Sequence, residues 1–448
     1  MAPIVGTQAF GDSIQKPFEY GGNLYVLGAD SVNNIMRMLR STDGGTTWNE
    51  LDSANAVDLS VAPYASISVA LGWGACVDGT QLLIFIPSRT GLNAFGNIIL
   101  KKFNLAAGLW GPATTPGSQP GVFTTQASGS PNRQTFVQPI RRGAGDFILV
   151  TYGPLELVFG VLRSRIRVVA FDGTNFGATF DVPNQAGNAK TYLCVGNAVD
   201  STGRIHICYI DTLNAFLACT NYSVTFLPGN TFGTTKTINT NGFWQGVHGG
   251  WSFPINFVSS GEKVAWCGFV FDDPSHTTYS IRMWIATPAD DDLWIEVIVE
   301  NDQSLTPGGV FNFYDDQMMA MGFIGGILRV TFNTSVSNGG LVNAYYRSTS
   351  TDLATFTAPA QIFLDTGTFR PAQVQSTPNG DFLVSLDSVF PNPYLQVFAL
   401  ATGGPIAITF ATGYTYIVTL PDVYGCDPCC KEIQIQETKM VYIPPREV

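Results

Sequence analysis

The sequence predicts an all-β fold, a seven-bladed β-propeller of four-stranded antiparallel blades with a short C-terminal extension. Three observations predict it. First, a turn glycine followed by an apolar-rich run recurs seven times along the 448 residues, at Gly22, Gly79, Gly145, Gly203, Gly261, Gly326 and Gly380. The spacings are 57, 66, 58, 58, 65 and 54 residues. Second, an aromatic follows each glycine by 26 to 33 residues, at Trp48, Trp110, Phe176, Phe232, Trp294, Phe356 and Phe410. Third, no window holds apolar residues at helical spacing for three or four turns, whereas Gly (47 residues), Asn and Thr are abundant, as in short strands joined by tight turns.

Each repeat divides into four strands, A to D. Strand A precedes the glycine turn and strand B follows it, as in "NLYVLG" after Gly22 and "RIHICYI" after Gly203. Strand C is a further run such as "NIMRMLRS" (34–41) or "RIRVVAFD" (165–172), and strand D begins at or just after the aromatic. A lone sheet of this size leaves both faces wet, so the repeats must pack radially on one another, and seven lies within the range that closes a ring. A string of β-sandwich domains leaves a repeat of this period unexplained. Residues 1–420 form the propeller on this reading, with "YTYIVTL" (414–420) finishing the last blade, and residues 421–448 form an extended arm.

The turn between strands C and D of the first repeat reads "STDGGTTW", with Ser41, Asp43, Gly45, Thr47 and Trp48 at the spacing Ser-x-Asp-x-Gly-x-Thr-Trp. Every residue type there has a folding task. Asp43 can accept backbone N–H bonds across the turn, Gly45 can take positive φ, and Trp48 can plug the gap between sheets. The motif resembles the Asp-box of the sialidase-type propellers. "STDLATF" (350–356) is a degenerate second copy, and "FDGTNF" (171–176) and "FNLAAGLW" (103–110) are fainter echoes. In that family the Asp-box is a structural turn away from the active site and occurs in non-enzymes too, so the resemblance implies a fold more than an activity.

An enzyme of that family would need an arginine triad for a carboxylate, a Tyr–Glu nucleophile pair and an acid/base Asp. "TFRPAQVQ" supplies Arg370 at the start of an inner strand, but in the last repeat and without the family's isoleucine. "FYDDQ" places Asp315 and Asp316 near the start of another inner strand, and "FVQPIRRG" adds Arg141 and Arg142 on the turn after a strand A. An arginine clamp beside paired carboxylates is what glycoside chemistry requires. No Tyr–Glu pair or convincing third arginine is identifiable, and ordinary rim charges account better for the residues present.

Other chemistry is weaker. His206, His248 and His276 fall in different repeats and form no metal spacing, and His206 between Ile205 and Ile207 reads as a packed side chain. "PADDDLW" (288–294) reads as a solvated acidic turn ahead of the blade aromatic. No cofactor motif is found. The net charge of −11 with only 23 Lys plus Arg argues against nucleic acid. No apolar run reaches membrane-spanning length, and the opening "MAPIVGTQAFGDS" carries no signal-peptide pattern.

The arm contains Cys426, Cys429 and Cys430 in "CDPCC", which can serve as an incomplete metal site, a disulfide or surface thiols. Its alternating run "EIQIQE" (432–437) fits either a strand on its own propeller or an attachment to a neighbouring subunit. Sparse charge, abundant Gly, Thr, Asn and Phe, and this arm resemble in style the bacteriophage virion proteins of the tail or capsid surface. The leading expectation is therefore a non-enzymatic virion structural protein, assembled in the host cytoplasm, that docks neighbouring virion subunits, its own copies or a host glycan. The alternatives are a sialidase-like glycoside hydrolase using Arg370, Asp315 and Asp316, and a carbohydrate-binding propeller with Trp244 or Trp251 as its platform.

Overall fold

The computed structural model describes Phe10 to Ile435 except for the segments 15–17, 31–34, 44–47, 65–72, 92–93, 120–135, 159–160, 184–190, 213–218, 243–256, 259–261, 272–277, 288–289, 305–318, 325–326, 334–341, 349–355, 357–359, 366–368, 378–379, 388–393, 401–404, 410–414 and 420–433. Beyond residue 300 it describes backbone alone, save at Phe356. Among the described residues no helix is long and apolar enough to cross a membrane.

The chain is a β-propeller of antiparallel blades. Blade one holds β1 (Phe10–Ile14) and β2 (Phe18–Tyr20), then β3 (Asn23–Asp30), β4 (Ile35–Ser41), β5 (Asn49–Leu51) and β6 (Val57–Asp58). Its strand A comes in two pieces, since β1 and β2 both pair with β3. Blade two is β7 (Gly74–Asp78), β8 (Gln81–Gly91), β9 (Ala94–Asn104) and β10 (Leu109–Thr114). Blade three is β11 (Phe136–Gly143), β12 (Asp146–Val158), β13 (Val161–Phe171) and β14 (Phe176–Asp181). Blade four is β15 (Thr191–Val199), β16 (Ile205–Thr212), β17 (Cys219–Phe226) and β18 (Lys236–Gly242). Blade five is β19 (Phe257–Val258), β20 (Glu262–Phe271), β21 (Thr278–Thr287) and β22 (Asp290–Ser304). Blade six is β23 (Met319–Ile324), β24 (Ile327–Asn333), β25 (Val342–Ser348) and β26 (Ala360–Asp365). Blade seven is β27 (Phe369–Thr377), β28 (Gly380–Asp387) and β29 (Tyr394–Leu400). A last hairpin, β30 (Pro405–Thr409) and β31 (Thr415–Thr419), is joined by β32 (Gln434–Ile435).

The repeat glycines do what a tight A–B turn requires. Gly22, Gly79, Gly145 and Gly203 all have positive φ, a region closed to most residues with a Cβ. Two of the aromatic marks plug gaps between blades. Trp110 is buried in the core that blade two shares with blade one, and Phe176 in the core between blades two and three. Each meets a phenylalanine from the end of strand C: Trp110 lies edge-on to Phe103 at 4.9 Å, and Phe176 lies 5.1 Å from Phe171. Phe226 and Phe232 repeat the pair in blade four at 4.9 Å.

First strands lie nearest the ring centre: β7 runs beside β11, β11 beside β15, and β23 beside β27. Contact between β2 and β27 brings the last blade round to the first. Polar contacts tie neighbouring blades as well. Trp110 N donates to Asp52 Oδ2 at 2.9 Å across blades one and two, and Phe176 N donates to Gly117 O at 3.0 Å across blades two and three.

Within the run 414–420, β31 pairs with β30 and β32, and β30 lies alongside β29. One local expectation is corrected. The acidic stretch Asp290–Asp292, expected as a turn, is the start of β22, because Thr287 already pairs with Asp290 across the two-residue link 288–289.

Candidate functional site

Consecutive antiparallel strands send the A–B and C–D turns of a blade to one end and its B–C and D–A connections to the other. The two ends are built differently.

At the tight-turn end, acidic and amide side chains cap the backbone. Asp172 Oδ1 accepts the N–H groups of Thr174 (2.8 Å) and Asn175 (2.6 Å), which holds its carboxyl below the usual carboxylate range. Asn104 Oδ1 does the same for Ala107 N at 2.9 Å. In the first blade the buried Ser41 hydroxyl donates to Asp43 Oδ1 at 2.8 Å, and Trp48 is half-buried. Gly45 and Thr47 lie outside the described residues.

The same end holds Arg141 and Arg142, and both act as clamps between blades. Arg141 Nε pairs with Asp78 of blade two at 2.8 Å. The side chain of Arg142, 7% exposed, forks onto both oxygens of Asp146 at 3.0 Å. It then reaches the C–D turn of blade four, donating to Asn230 Oδ1 at 3.1 Å and to Leu227 O and Pro228 O at 3.4 Å. Both guanidiniums are therefore occupied at the end opposite the inner-strand starts. Arg142→Ala would leave the Asp146 carboxylate and two turn carbonyls without their donor. The expected cost is about 2 kcal/mol, with Arg142→Lys recovering only part of it because a lysine cannot fork. Chemical denaturation of the two variants checks this.

A polar cluster at the A–B turn of blade four escaped the sequence reading. Asp200 has a fully buried side chain and accepts five hydrogen bonds. Thr202 N, Thr202 Oγ1 and Arg204 N reach its Oδ1 at 2.9, 2.6 and 3.0 Å. Arg204 Nε and His206 Nε2 reach its Oδ2 at 2.7 and 3.0 Å. Burial alone would raise this carboxyl, but the bonds from Thr202, His206 and Arg204 outweigh it and hold the group at about 2. His206 is thus a packed side chain with a polar anchor. The available signal was Asp200-x-Thr202, a spacing at which an Asp caps its own turn. No substrate can reach this pocket without unpacking the hairpin, so the cluster stabilises the turn.

At the other end, Arg370 is the second residue of β27, where it pairs with Leu386 just ahead of a register shift between Pro371 and Gln373. Strand β27 packs along β23 of the neighbouring blade. Asp315 and Asp316 lie outside the described residues, as do Trp244, Trp251, His248, His276 and the cysteines Cys426, Cys429 and Cys430. Among the described residues no three His, Cys, Asp or Glu side chains group as metal ligands.

No family model and no curated protein matches the chain. Among solved structures, the polysaccharide lyase Uly1 aligns over 86% of this chain and 90% of its own, at 9% identity and a TM-score of 0.50. The α-L-arabinanase of Penicillium chrysogenum aligns over 88% of this chain and 96% of its own, at 12% identity and a TM-score of 0.41. Trypanosoma rangeli sialidase aligns over 87% of this chain and 55% of its own, at 11% identity and a TM-score of 0.43. The likeness to the lyase is one of fold, and the two lower scores add nothing to it.

Proposed function

We propose that the protein is a carbohydrate-active propeller, a glycoside hydrolase of sialidase-like layout, with its site at the end where the inner strands begin. The supporting observation is the packing of β27, with Arg370 at its second position, along β23. Asp315 and Asp316 stand four and three residues ahead of β23 in the sequence. A guanidinium there supplies a forked donor for a carboxylate or for vicinal hydroxyls, and two adjacent carboxyls supply a proton donor and a base or nucleophile. The fold of the polysaccharide lyase is compatible with carbohydrate chemistry, while the choice of residues rests on this chain alone.

The test is a broad glycan panel read for both retention and released products. Asp316→Asn is expected to abolish release, by on the order of 10²–10⁴-fold, while retaining the glycan. Arg370→Ala is expected to weaken retention itself. A wild type that neither retains nor cleaves any member overturns the reading.

The second reading, a virion structural protein that docks neighbouring subunits through propeller faces and the 421–448 arm, draws on one surface feature. Ile295 and Ile298 on the outer strand β22 are 58% and 45% exposed.

A further inference from the structure

In the core shared by blades three to five, the polar ends of the buried Tyr209 and Trp284 and of the partly buried Trp294 each have an acceptor. Tyr209 Oη donates to Pro183 O at 3.3 Å, Trp284 Nε1 to Glu296 Oε2 at 3.0 Å, and Trp294 Nε1 to Ser223 Oγ at 3.2 Å. The core between blades one and two is built from the same residue types and satisfies only one of its four. There Tyr25 Oη donates to Leu105 O at 3.4 Å. Tyr64 Oη, Trp73 Nε1 and Trp110 Nε1 are buried with no protein partner. Their residues are 5%, 7% and 9% exposed.

We propose that this seam binds internal water, whose oxygens accept the hydrogen bonds of Tyr64, Trp73 and Trp110. The chemistry of the donors selects the guest. An indole N–H can only donate, so whatever meets it must accept. The charged groups beside Trp110 are already engaged, Asp52 by Trp110 N at 2.9 Å and Lys101 over the indole ring at 5.8 Å, so the guest need bring only an acceptor and no charge. Water is neutral, accepts and donates, and is the ordinary solution to a buried polar atom without a protein partner. Burial also pushes the Tyr64 phenol up to about 12, which keeps it a neutral donor at every ordinary pH. Trp73 stands immediately before β7, at the end of the inner strand that corresponds to Arg370 in β27. Water in this seam therefore extends toward the face proposed for the functional site, and the inference holds whether or not that site acts on carbohydrate.

The experiment uses the full chain labelled with ¹⁵N at its tryptophan indoles, with Trp73→Phe and Trp110→Phe serving to assign the two signals. Magnetisation transfer from water to both indole protons, at a rate faster than amide exchange in the same core, is the expected result. Tyr64→Phe gives a second readout of opposite sign for the two cases. If water accepts the phenol proton, the variant shifts the unfolding equilibrium toward the unfolded state by about fivefold. If the hydroxyl is an orphan, removing it makes the protein more stable. Silent indoles together with a stabilised Tyr64→Phe overturn the proposal, and if that variant does not fold, the transfer experiment on the unmodified chain decides alone.

Discussion

Asp200→Asn is expected to cost about 3 kcal/mol and to flatten the acid limb of the stability profile. The substitution keeps the shape and removes the charge. It also sets the amide nitrogen against donors from Thr202, Arg204 or His206, which now reach a carboxylate oxygen at 2.6 to 3.0 Å. The loss is large because Asp200 and His206 are both buried and Arg204 is mostly so, and a donor left unpaired there cannot turn to water. The pH dependence follows from the same bonds. The folded carboxyl titrates at about 2 and the free one at 3.8, so its contribution is present in full above pH 4 and is lost as pH falls toward 2. That contribution is about 2 kcal/mol. Denaturant unfolding at a series of pH values between 2 and 6 should show a decline in the wild type that the Asn variant lacks. Equal slopes in the two proteins would mean that another carboxylate carries the acid response.

Gly74→Ala is expected to be the most damaging methyl group that can be added to the described core. A Cβ at Gly74 would overlap the carbonyl oxygen of Val137 and come within 2.5 Å of Pro139 Cδ. Both belong to β11, the inner strand of the next blade, and a backbone carbonyl inside a ladder has no rotamer into which to move. The clash can be relieved only by pushing blade two away from blade three, at a cost of about 2–4 kcal/mol. Gly79→Ala, at the other end of the same strand, is the control. It has φ of +58° and nothing within 4 Å of the added carbon, so it should cost about 1 kcal/mol through backbone strain alone. Similar midpoints for the two variants in thermal unfolding would contradict the close approach of β7 to β11.

What the sequence made legible was whatever recurs. The positive-φ glycines and the aromatics meeting the end of strand C are local features repeated at one period, and Gly79, Trp110 and Phe176 could be assigned from them without knowing the ring. The failures are non-local. Arg141 and Arg142 look like site arginines in "FVQPIRRG", and only the packing of blades shows Asp78 and Asn230, 63 and 88 residues away, as their partners. Asp200 and His206 are close in sequence, but their contact depends on the register of the β15–β16 hairpin, where Ala198 faces His206 and the turn folds the carboxylate back. The acidic run Asp290–Asp292 was misread as a turn because composition alone does not show that Thr287 pairs with Asp290. For the candidate site, sequence located Arg370 at an inner-strand start, as the backbone now shows. Its neighbour in space, β23, came only from the packing.

The central claim is that Arg370 and the Asp315–Asp316 pair share one end of adjacent blades. The most direct measurement is the distance between spin labels introduced as non-canonical residues at 316 and 370, so that the native cysteines stay untouched. With packed sheets about 10 Å apart and two label arms added, the account predicts one population centred below about 25 Å. A population centred well beyond that distance would separate the carboxylates from the arginine, and the proposed site would not exist.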